Sequence, residues 1–105
     1  ENGAVELYYD NVKKFETTSG GAKVSGDLDV VGHVFPNANN TYNLGTSGNR
    51  WANVYTNDLN LSNEGGSNDV DGTWGNYTIQ EGAEDLFLVN KRNGKKYKFN
   101  LTEVS

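Results

Sequence analysis

The chain has 105 residues, a net charge of −5 at neutral pH and no cysteine. Its length suits one ordinary domain, and its acidity disfavours nucleic-acid binding, which usually requires a basic stripe. Disulfide bonds are excluded, and no apolar run approaches the ~18 residues that a membrane-spanning helix needs, so membrane insertion is not expected.

Large apolar side chains are scarce in this sequence. Leu, Ile, Val and Phe together make up about a fifth of the residues, close to the level at which disorder becomes the default interpretation. The aromatic fraction of 11% argues against disorder, and the 13 glycines disfavour helices. The composition therefore favours an extended β protein that completes its core with further copies of itself, because oligomerisation commonly supplements a small apolar reserve.

The first 36 residues predict short antiparallel strands. The predicted strands cover residues 5–9, 12–18, 22–25 and 28–35. Asp10-Asn11 supplies the first turn, and the Ser-Gly-Gly that follows residue 18 interrupts the pattern again. Pro36 ends the fourth strand because proline has no N–H to donate to a sheet. His33 lies inside that apolar strand, so we expect it to be structural rather than a general base.

The middle of the chain alternates between predicted loops and strands. Residues 37–49 are rich in Asn, Gly, Ser and Thr and predict a loop. Residues 50–61 alternate in polarity and predict a strand, with a short helical turn near 51–55 as the alternative. Residues 62–72 predict an exposed linker, and residues 73–80 predict another strand. No stretch of about ten residues has the apolar periodicity of an amphipathic helix.

Residues 85–102 predict the most regular element, a β-hairpin with its turn at Asn93-Gly94. This dipeptide is typical of the two-residue type I′ turn, in which both central residues have positive φ. The predicted pairs are Arg92 with Lys95, Asn90 with Tyr97, Leu88 with Phe99, and Leu86 with Leu101. Side chains alternate along a strand, so one face of the hairpin is strongly apolar and the other is half apolar.

Three longer stretches have recognisable patterns. They read VELYYDNVKKFETTS (residues 5–19), NTYNLGTSGNRWANVYTNDLNL (40–61) and GTWGNYTIQEGAEDLFLVNKRNGKKYKFNLTEV (72–104). The first resembles a module of fibre shafts in which three chains wind together. The second resembles the segment that precedes a C-terminal chaperone or terminal knob, and the third a small terminal or pre-terminal β domain. Together they are similar to the distal parts of bacteriophage tail fibres, especially those of marine and cyanobacterial phages.

The resemblance implies an all-β fold, built as an elongated intertwined homotrimer of short strands and hairpins with a small C-terminal β domain. It implies four segments: a shaft-like β segment (1–36), a connecting segment (37–61), a flexible linker (62–72) and a C-terminal β-hairpin domain (73–105). The chain would be located in the virion, in a tail appendage, with other phage tail proteins as partners. We also expect it to be a fragment of a larger polypeptide, without the self-cleaving chaperone of many relatives.

Catalysis and metal binding are not expected. The 14 carboxylates form no recognisable catalytic pair. Asp69, Asp71 and Gly72 match part of a calcium-loop spacing, but the twelfth position is Thr78 rather than the bidentate glutamate. A flexible acidic loop is therefore favoured over a metal site there, and we expect no cofactor. A weak cation held by Asp27 or Asp29 from three chains stays open.

Two groups of residues are candidates for receptor binding. The first is a basic cluster, Lys91, Arg92, Lys95 and Lys96. It could hold phosphate or carboxylate groups of a bacterial surface polysaccharide, but a solvated turn that blocks edge pairing is favoured. The second is Trp74 and Tyr77, which could equally stack on sugar rings or fill the trimer core. The expected trimer core comprises Leu28, Val30, Val34, Trp51, Leu86, Leu88, Phe99 and Leu101.

The function expected from the resemblance is that of a non-enzymatic virion structural protein. It would be the distal part of a trimeric tail fibre that contributes to host attachment and receptor recognition. The alternatives are a shaft or connector without receptor contact, and a free carbohydrate-binding module. A glycan-cleaving tailspike would need two carboxylates about 5–9.5 Å apart, and the sequence points to no such pair.

Overall fold

The structure, a computed structural model, describes residues 3–105, so Glu1 and Asn2 of the predicted 1–36 segment lie outside the described residues. The described chain is all-β, as predicted, with two antiparallel sheets and no helix. Sheet 1 contains β1 (Glu6–Tyr9), β2 (Val12–Thr18) and β3 (Gly21–Val24) in chain order. Sheet 2 contains β4 (Leu59–Ser62), β5 (Asn76–Glu81), β6 (Leu86–Asn90) and β7 (Lys96–Lys98), also in chain order. Each sheet lies in its own unit of the chain, Glu1–Leu44 and Gly45–Ser105.

The β1–β2 hairpin forms where the sequence predicts it, around Asp10-Asn11. These two residues have positive φ values of 50° and 66°, which is the backbone geometry of a type I′ turn. Asp and Asn adopt this region more readily than other non-glycine residues because their short polar side chains bond locally. A bulge between Leu7 and Tyr8 shifts the register farther along the hairpin. The turn prediction is therefore confirmed.

One lysine offsets a like-charge pair in sheet 1. Glu6 of β1 lies directly opposite Glu16 of β2, an arrangement that is destabilising by itself. Lys13 Nζ lies 2.8 Å from Glu6 Oε2 and 2.8 Å from Glu16 Oε2. The hydrogen bonds that Lys13 donates to Glu16 and Glu6 raise the pKa of Lys13, and the bond from Lys13 lowers the pKa of Glu6. Lys13 and Glu6 therefore favour each other's ionised forms.

The predicted strand over residues 28–35 is wrong. The structure has no strand there, and no backbone hydrogen bond within the described chain involves those residues. Leu28 is 71% exposed and Val34 is 80% exposed. The alternating pattern is present in the sequence, but no strand of sheet 1 lies beside it, since β3 pairs with β2 alone. A strand forms only when a neighbour accepts its hydrogen bonds.

The segment that leads into sheet 2 also differs from the prediction over residues 50–61. Only Leu59–Ser62 forms a strand, and residues 51–58 contain neither a strand nor a helical turn. Before them, Thr46 and Asn49 close a small turn by exchanging backbone hydrogen bonds of 2.9 and 3.2 Å. Gly45 has a φ of 85°, and a Cβ there would lie 3.6 Å from the Trp51 ring. Of the Asn-Leu-Gly and Asn-Arg-Trp pattern, these contacts account for the glycine, which adopts a positive φ beside the turn and the Trp51 ring.

The interior of sheet 2 is a threonine rather than a cluster of apolar residues. Thr78 of β5 pairs with Asn60 of β4 on one side and Val89 of β6 on the other. It is 1% exposed and is the only fully buried side chain among the described residues. Its hydroxyl donates a 2.6 Å hydrogen bond to Asn60 Oδ1. Buried polar groups need such partners, so this bond joins two strands at the most protected point of the sheet.

The opposite face of sheet 2 is apolar and uncovered. Strand pairing aligns Leu59, Ile79, Leu88 and Tyr97 in one row across all four strands. A second row contains Leu86 and Phe99, and a third contains Leu61 and Tyr77. We call these eight residues the apolar face. Leu59 is 45% exposed and Tyr97 is 47% exposed, and no hydrophobic side chain of residues 3–105 is buried. Five of the eight residues are half-buried by their neighbours in the sheet, but no other strand of the described chain packs over the face.

The β6–β7 connection is longer than predicted. Leu88 pairs with Tyr97 rather than with Phe99, and the Asn90 N–H donates to the Lys95 carbonyl at 2.8 Å. The predicted two-residue turn at Asn93-Gly94 is therefore wrong, because residues 91–94 form a four-residue connection in which Gly94 has a φ of 77°. The shift is two residues, an even number, so the predicted apolar face of the hairpin keeps its composition.

An asparagine side chain explains the longer connection. Asn90 Oδ1 accepts hydrogen bonds from the backbone N–H groups of Arg92 and Asn93, at 2.9 and 3.4 Å. The Gly94 N–H donates to the Asn90 carbonyl at 2.8 Å. Asparagine often organises the residues that follow it in this way. The local bonds of Asn90 therefore compete successfully with the Asn-Gly preference for a two-residue turn.

Candidate functional site

The loop between β4 and β5 is held by its own side chains. Asn68 Oδ1 accepts hydrogen bonds from the N–H groups of Val70 and Asp71, at 2.7 and 2.9 Å. The amide nitrogen of Asn68 donates to Asp71 Oδ1 at 2.7 Å and to the Thr73 carbonyl at 3.0 Å. One asparagine thus cross-links the loop at four points, which fixes the backbone without apolar packing.

Asp71 presents a stabilised carboxylate in this loop. Its Oδ1 accepts from the hydroxyl of Thr73 at 2.7 Å and from the backbone N–H of Thr73 at 3.1 Å. These bonds, led by the one from the Thr73 hydroxyl and followed by the one from Asn68, lower the pKa of Asp71 below its ordinary value. Hydrogen bonds to a carboxylate favour its charged form. All the described hydrogen bonds of the carboxylate reach Oδ1, and none reaches Oδ2.

Asn63 joins the two ends of the loop. Its Oδ1 accepts the Gly75 N–H at 2.7 Å, and its amide nitrogen donates to the Thr73 carbonyl at 3.3 Å. A backbone bond from the Asn63 N–H to the Gly75 carbonyl, 3.3 Å long, lies beside them. Because these bonds hold Thr73 and Gly75, which flank Trp74 in the chain, they place Trp74 next to the end of β4. The sequence-level prediction singled out Trp74 but not the asparagine that positions it.

An arginine from the β6–β7 connection fixes the Trp74 ring. The Arg92 guanidinium lies 3.8 Å from the ring centroid, and its Nη1 donates to the Trp74 carbonyl at 3.0 Å. This geometry combines a cation–π contact with a hydrogen bond to the same residue. Arg92 therefore serves an internal contact, and Trp74 is held from both its backbone and its side chain.

Tyr77 lies on β5 and lines the same groove as Trp74. Its hydroxyl accepts a 3.3 Å hydrogen bond from the amide nitrogen of Asn90. A Cβ at Gly75 would lie 2.9 Å from Tyr77 Cε2, a distance that real Cβ atoms do not tolerate. The absence of a side chain at Gly75 thus makes room for the tyrosine ring. The order Trp-Gly-Asn-Tyr therefore has a packing reason as well as a strand-forming one.

Several of these residues line an open groove of about 480 Å³. Its apolar lining consists of Leu61, Trp74 and Tyr77. Its polar lining includes Asn68, Asp71 and Thr73. A concave surface with an apolar wall and a few placed polar groups is the usual form of a small-ligand site.

Comparison with protein-family models, curated proteins and solved structures finds no match.

The structure brings two of the six predicted receptor-binding residues, Trp74 and Tyr77, together in the lining of the groove. Arg92 contacts the ring and the carbonyl of Trp74 but is not among the lining residues. Lys91, Lys95 and Lys96 do not line the groove either. The Lys91 N–H donates to the Asn76 carbonyl at 2.7 Å, which anchors the turn to β5. Lys96 lies on β7 beside Phe87 and Val89, next to a second hollow of about 400 Å³.

Sequence reasoning missed the polar side of the groove. Asn63 and Asn68 lie in the segment predicted to be an exposed linker, because asparagine is equally common in flexible linkers. The available signal was the spacing Asn-x-x-Asp-x-Thr, in which an Asn oxygen can accept from residues that follow it.

Among residues 3–105, no group of three or more His, Cys, Asp or Glu side chains could hold a metal ion. Within the same residues, no helix is long and apolar enough to cross a membrane.

Proposed function

We propose that this chain forms the distal part of a trimeric bacteriophage tail fibre and contributes to host attachment. The resemblance of residues 5–19, 40–61 and 72–104 to such fibres motivates the proposal. The observation that carries it is the uncovered apolar face of sheet 2 in a chain whose described residues bury no hydrophobic side chain. The protein would be located in the virion, with other tail proteins as partners.

The apolar face favours assembly with further copies of the chain. An apolar row that crosses four strands gains about 25 cal/mol for each Å² that it removes from water. Contact with identical copies gains this energy without any new sequence element, and a closed ring also covers the outer edges of β4 and β7. Three copies around an axis are the arrangement that the resemblance implies.

The proposed trimer core uses the rows of the apolar face that lie away from the groove. Leu86, Leu88 and Phe99 are half-buried within one chain and would be completed by neighbouring copies. The remaining proposed core residues are exposed in one chain: Leu28, Val30, Val34, Trp51 and Leu101. Their exposure supports the proposal, because large apolar groups gain most when a partner covers them.

Two other functions remain alternatives. A connector without receptor contact would need the same apolar face but no groove, and the groove between Trp74 and Asp71 therefore favours attachment. A free carbohydrate-binding module would use the groove but would not need copies. The mass of the protein in solution separates this second alternative from the fibre proposal.

The test is the mass in solution by multi-angle light scattering across a dilution series. We expect three times the chain mass of 11.5 kDa. Leu88→Gln, in the middle row of the apolar face, should shift the mass towards one chain. The matched control is Phe87→Gln, because residue 87 neighbours residue 88 in β6 and faces the opposite side of the sheet. A compact monomer that melts cooperatively at high dilution would refute the proposal.

A further inference from the structure

We propose that the groove beside Trp74 binds an uncharged sugar ring rather than an acidic surface polymer. This inference rests on the proposed role in host attachment and specifies the chemical class of the receptor.

The apolar and polar lining residues of the groove match the two kinds of surface that a pyranose presents. Such a ring has an apolar face of C–H groups and a rim of hydroxyls. Trp74 and Tyr77 offer aromatic surface with polar atoms at its edge, a combination that is common in recognition sites. Asp71 and Thr73 line the same volume of about 480 Å³, which lies within the usual size range of small-ligand sites.

The charge of the groove selects against acidic sugars. Hydrogen bonds lower the pKa of Asp71, so its carboxylate is ionised at neutral pH. Its Oδ2 accepts no hydrogen bond from the described residues and can accept one from a sugar hydroxyl. A carboxylate or phosphate on the ligand would meet this charge at close range, and like-charge contacts disfavour binding.

The nearby cations do not reverse this selection. The Arg92 guanidinium keeps its charge, but it is held by the ring and the carbonyl of Trp74 and is not among the residues that line the groove. Lys91, Lys95 and Lys96 lie outside the groove lining. The basic cluster therefore belongs to the turn and to the support of Trp74. A ligand in the groove would contact the Asp71 carboxylate and the aromatic rings instead.

The groove is also fixed before a ligand arrives. Asn63 and Asn68 cross-link the loop, and Arg92 holds the tryptophan. A preformed site spends little binding energy on ordering its own side chains. Leu61 and Tyr77, the third row of the apolar face, line the groove. Assembly through the other two rows would therefore leave the groove at the margin of the interface.

The test is a titration of the assembled protein with defined disaccharides. Cellobiose, maltose and N,N′-diacetylchitobiose are the uncharged probes, and a glucuronate-containing disaccharide is the acidic probe. Two-dimensional NMR follows the indole N–H of Trp74 and the amide N–H of Thr73. We expect at least one uncharged probe to shift both signals with a Kd in the millimolar range, about tenfold tighter than the acidic probe.

Variants locate the binding and report the charge effect. Trp74→Leu should weaken binding of the uncharged probe at least tenfold, and Asp71→Asn should reduce or remove its preference over the acidic one. Tyr42→Leu and Lys95→Glu are the matched controls, because both residues are exposed and lie outside the groove lining. Neither control should change the affinity.

Three results would overturn the inference. They are tighter binding of the acidic probe, binding that is unchanged in Trp74→Leu, and no shift with any uncharged probe up to about 50 mM. Adsorption of the protein to a panel of bacterial strains separates this failure from failure of the proposed function. If trimers adsorb to cells and Trp74→Leu adsorbs equally, the sugar site is wrong and host attachment stands.

Discussion

The hydrogen bond between Thr78 and Asn60 should contribute measurably to the stability of sheet 2. Thr78→Val keeps the shape of the side chain and removes the 2.6 Å bond to Asn60 Oδ1. Because Asn60 is exposed, water can replace the lost donor, so we expect a loss of about 0.5–1.5 kcal/mol in the free energy of unfolding. Asn60→Ala instead leaves the hydroxyl of a residue that is 1% exposed without its partner, which costs about 1–3 kcal/mol.

The measurement is a double-mutant cycle by urea denaturation at one fixed chain concentration, because assembly would make the stability depend on concentration. The double variant should lose less than the sum of the two single losses, with a coupling of about 1 kcal/mol. Thr56→Val is the control. It removes an exposed hydroxyl that donates to the Asp58 carbonyl, and we expect a change within about 0.5 kcal/mol. Additivity within about 0.3 kcal/mol would refute the reasoning.

Three further predictions concern the turn and the groove. Gly94→Ala should lower the free energy of unfolding by about 1–2 kcal/mol because Gly94 has a φ of 77°. Gly48→Ala, where a Cβ meets no atom within 4 Å, should change it by less than about 0.5 kcal/mol, and equal losses in thermal denaturation would contradict the argument. Gly75→Ala should displace the Tyr77 ring and weaken sugar binding several-fold, whereas unchanged ring signals in NMR spectra would show that the space is not needed. Asp71 should titrate below the ordinary pKa of an aspartate when its carboxyl carbon is followed by NMR. The contribution of Asp71 to stability should therefore be complete above the pKa that this carboxyl has in the unfolded chain. It should be lost as the pH falls through the pKa that Asp71 has in the folded chain. An ordinary or raised pKa of Asp71 would contradict this.

Local turn chemistry and polarity alternation were sufficient to predict much of the fold. The turn at Asp10-Asn11 was predictable because few other residues adopt positive φ in succession. The apolar composition of the β6–β7 hairpin was also predictable, since alternation survives a register shift of two. Both features depend on residues that are close in sequence.

Features that depend on distant or side-chain partners were not predictable in this way. The strand pattern of residues 28–35 is real, but a pattern cannot supply the neighbouring strand that a sheet requires. In the β6–β7 connection, the Asx bonds of Asn90 compete with the preference of the Asn-Gly dipeptide. In the groove, Trp74 was identified from its type, whereas Asn68 and Asp71 became recognisable only through the bonds between them.

The geometry of the β6–β7 connection has a consequence for how this hairpin can change length. Removing or adding two residues between Asn90 and Lys95 returns every side chain of β7 to its own side of the sheet. A change of one residue would turn Tyr97 to the opposite face of the sheet. It would also bring Lys96 and Lys98 onto the apolar face. Natural variation at this connection should therefore occur in even steps, and a single-residue deletion should be far more damaging than the loss of a pair.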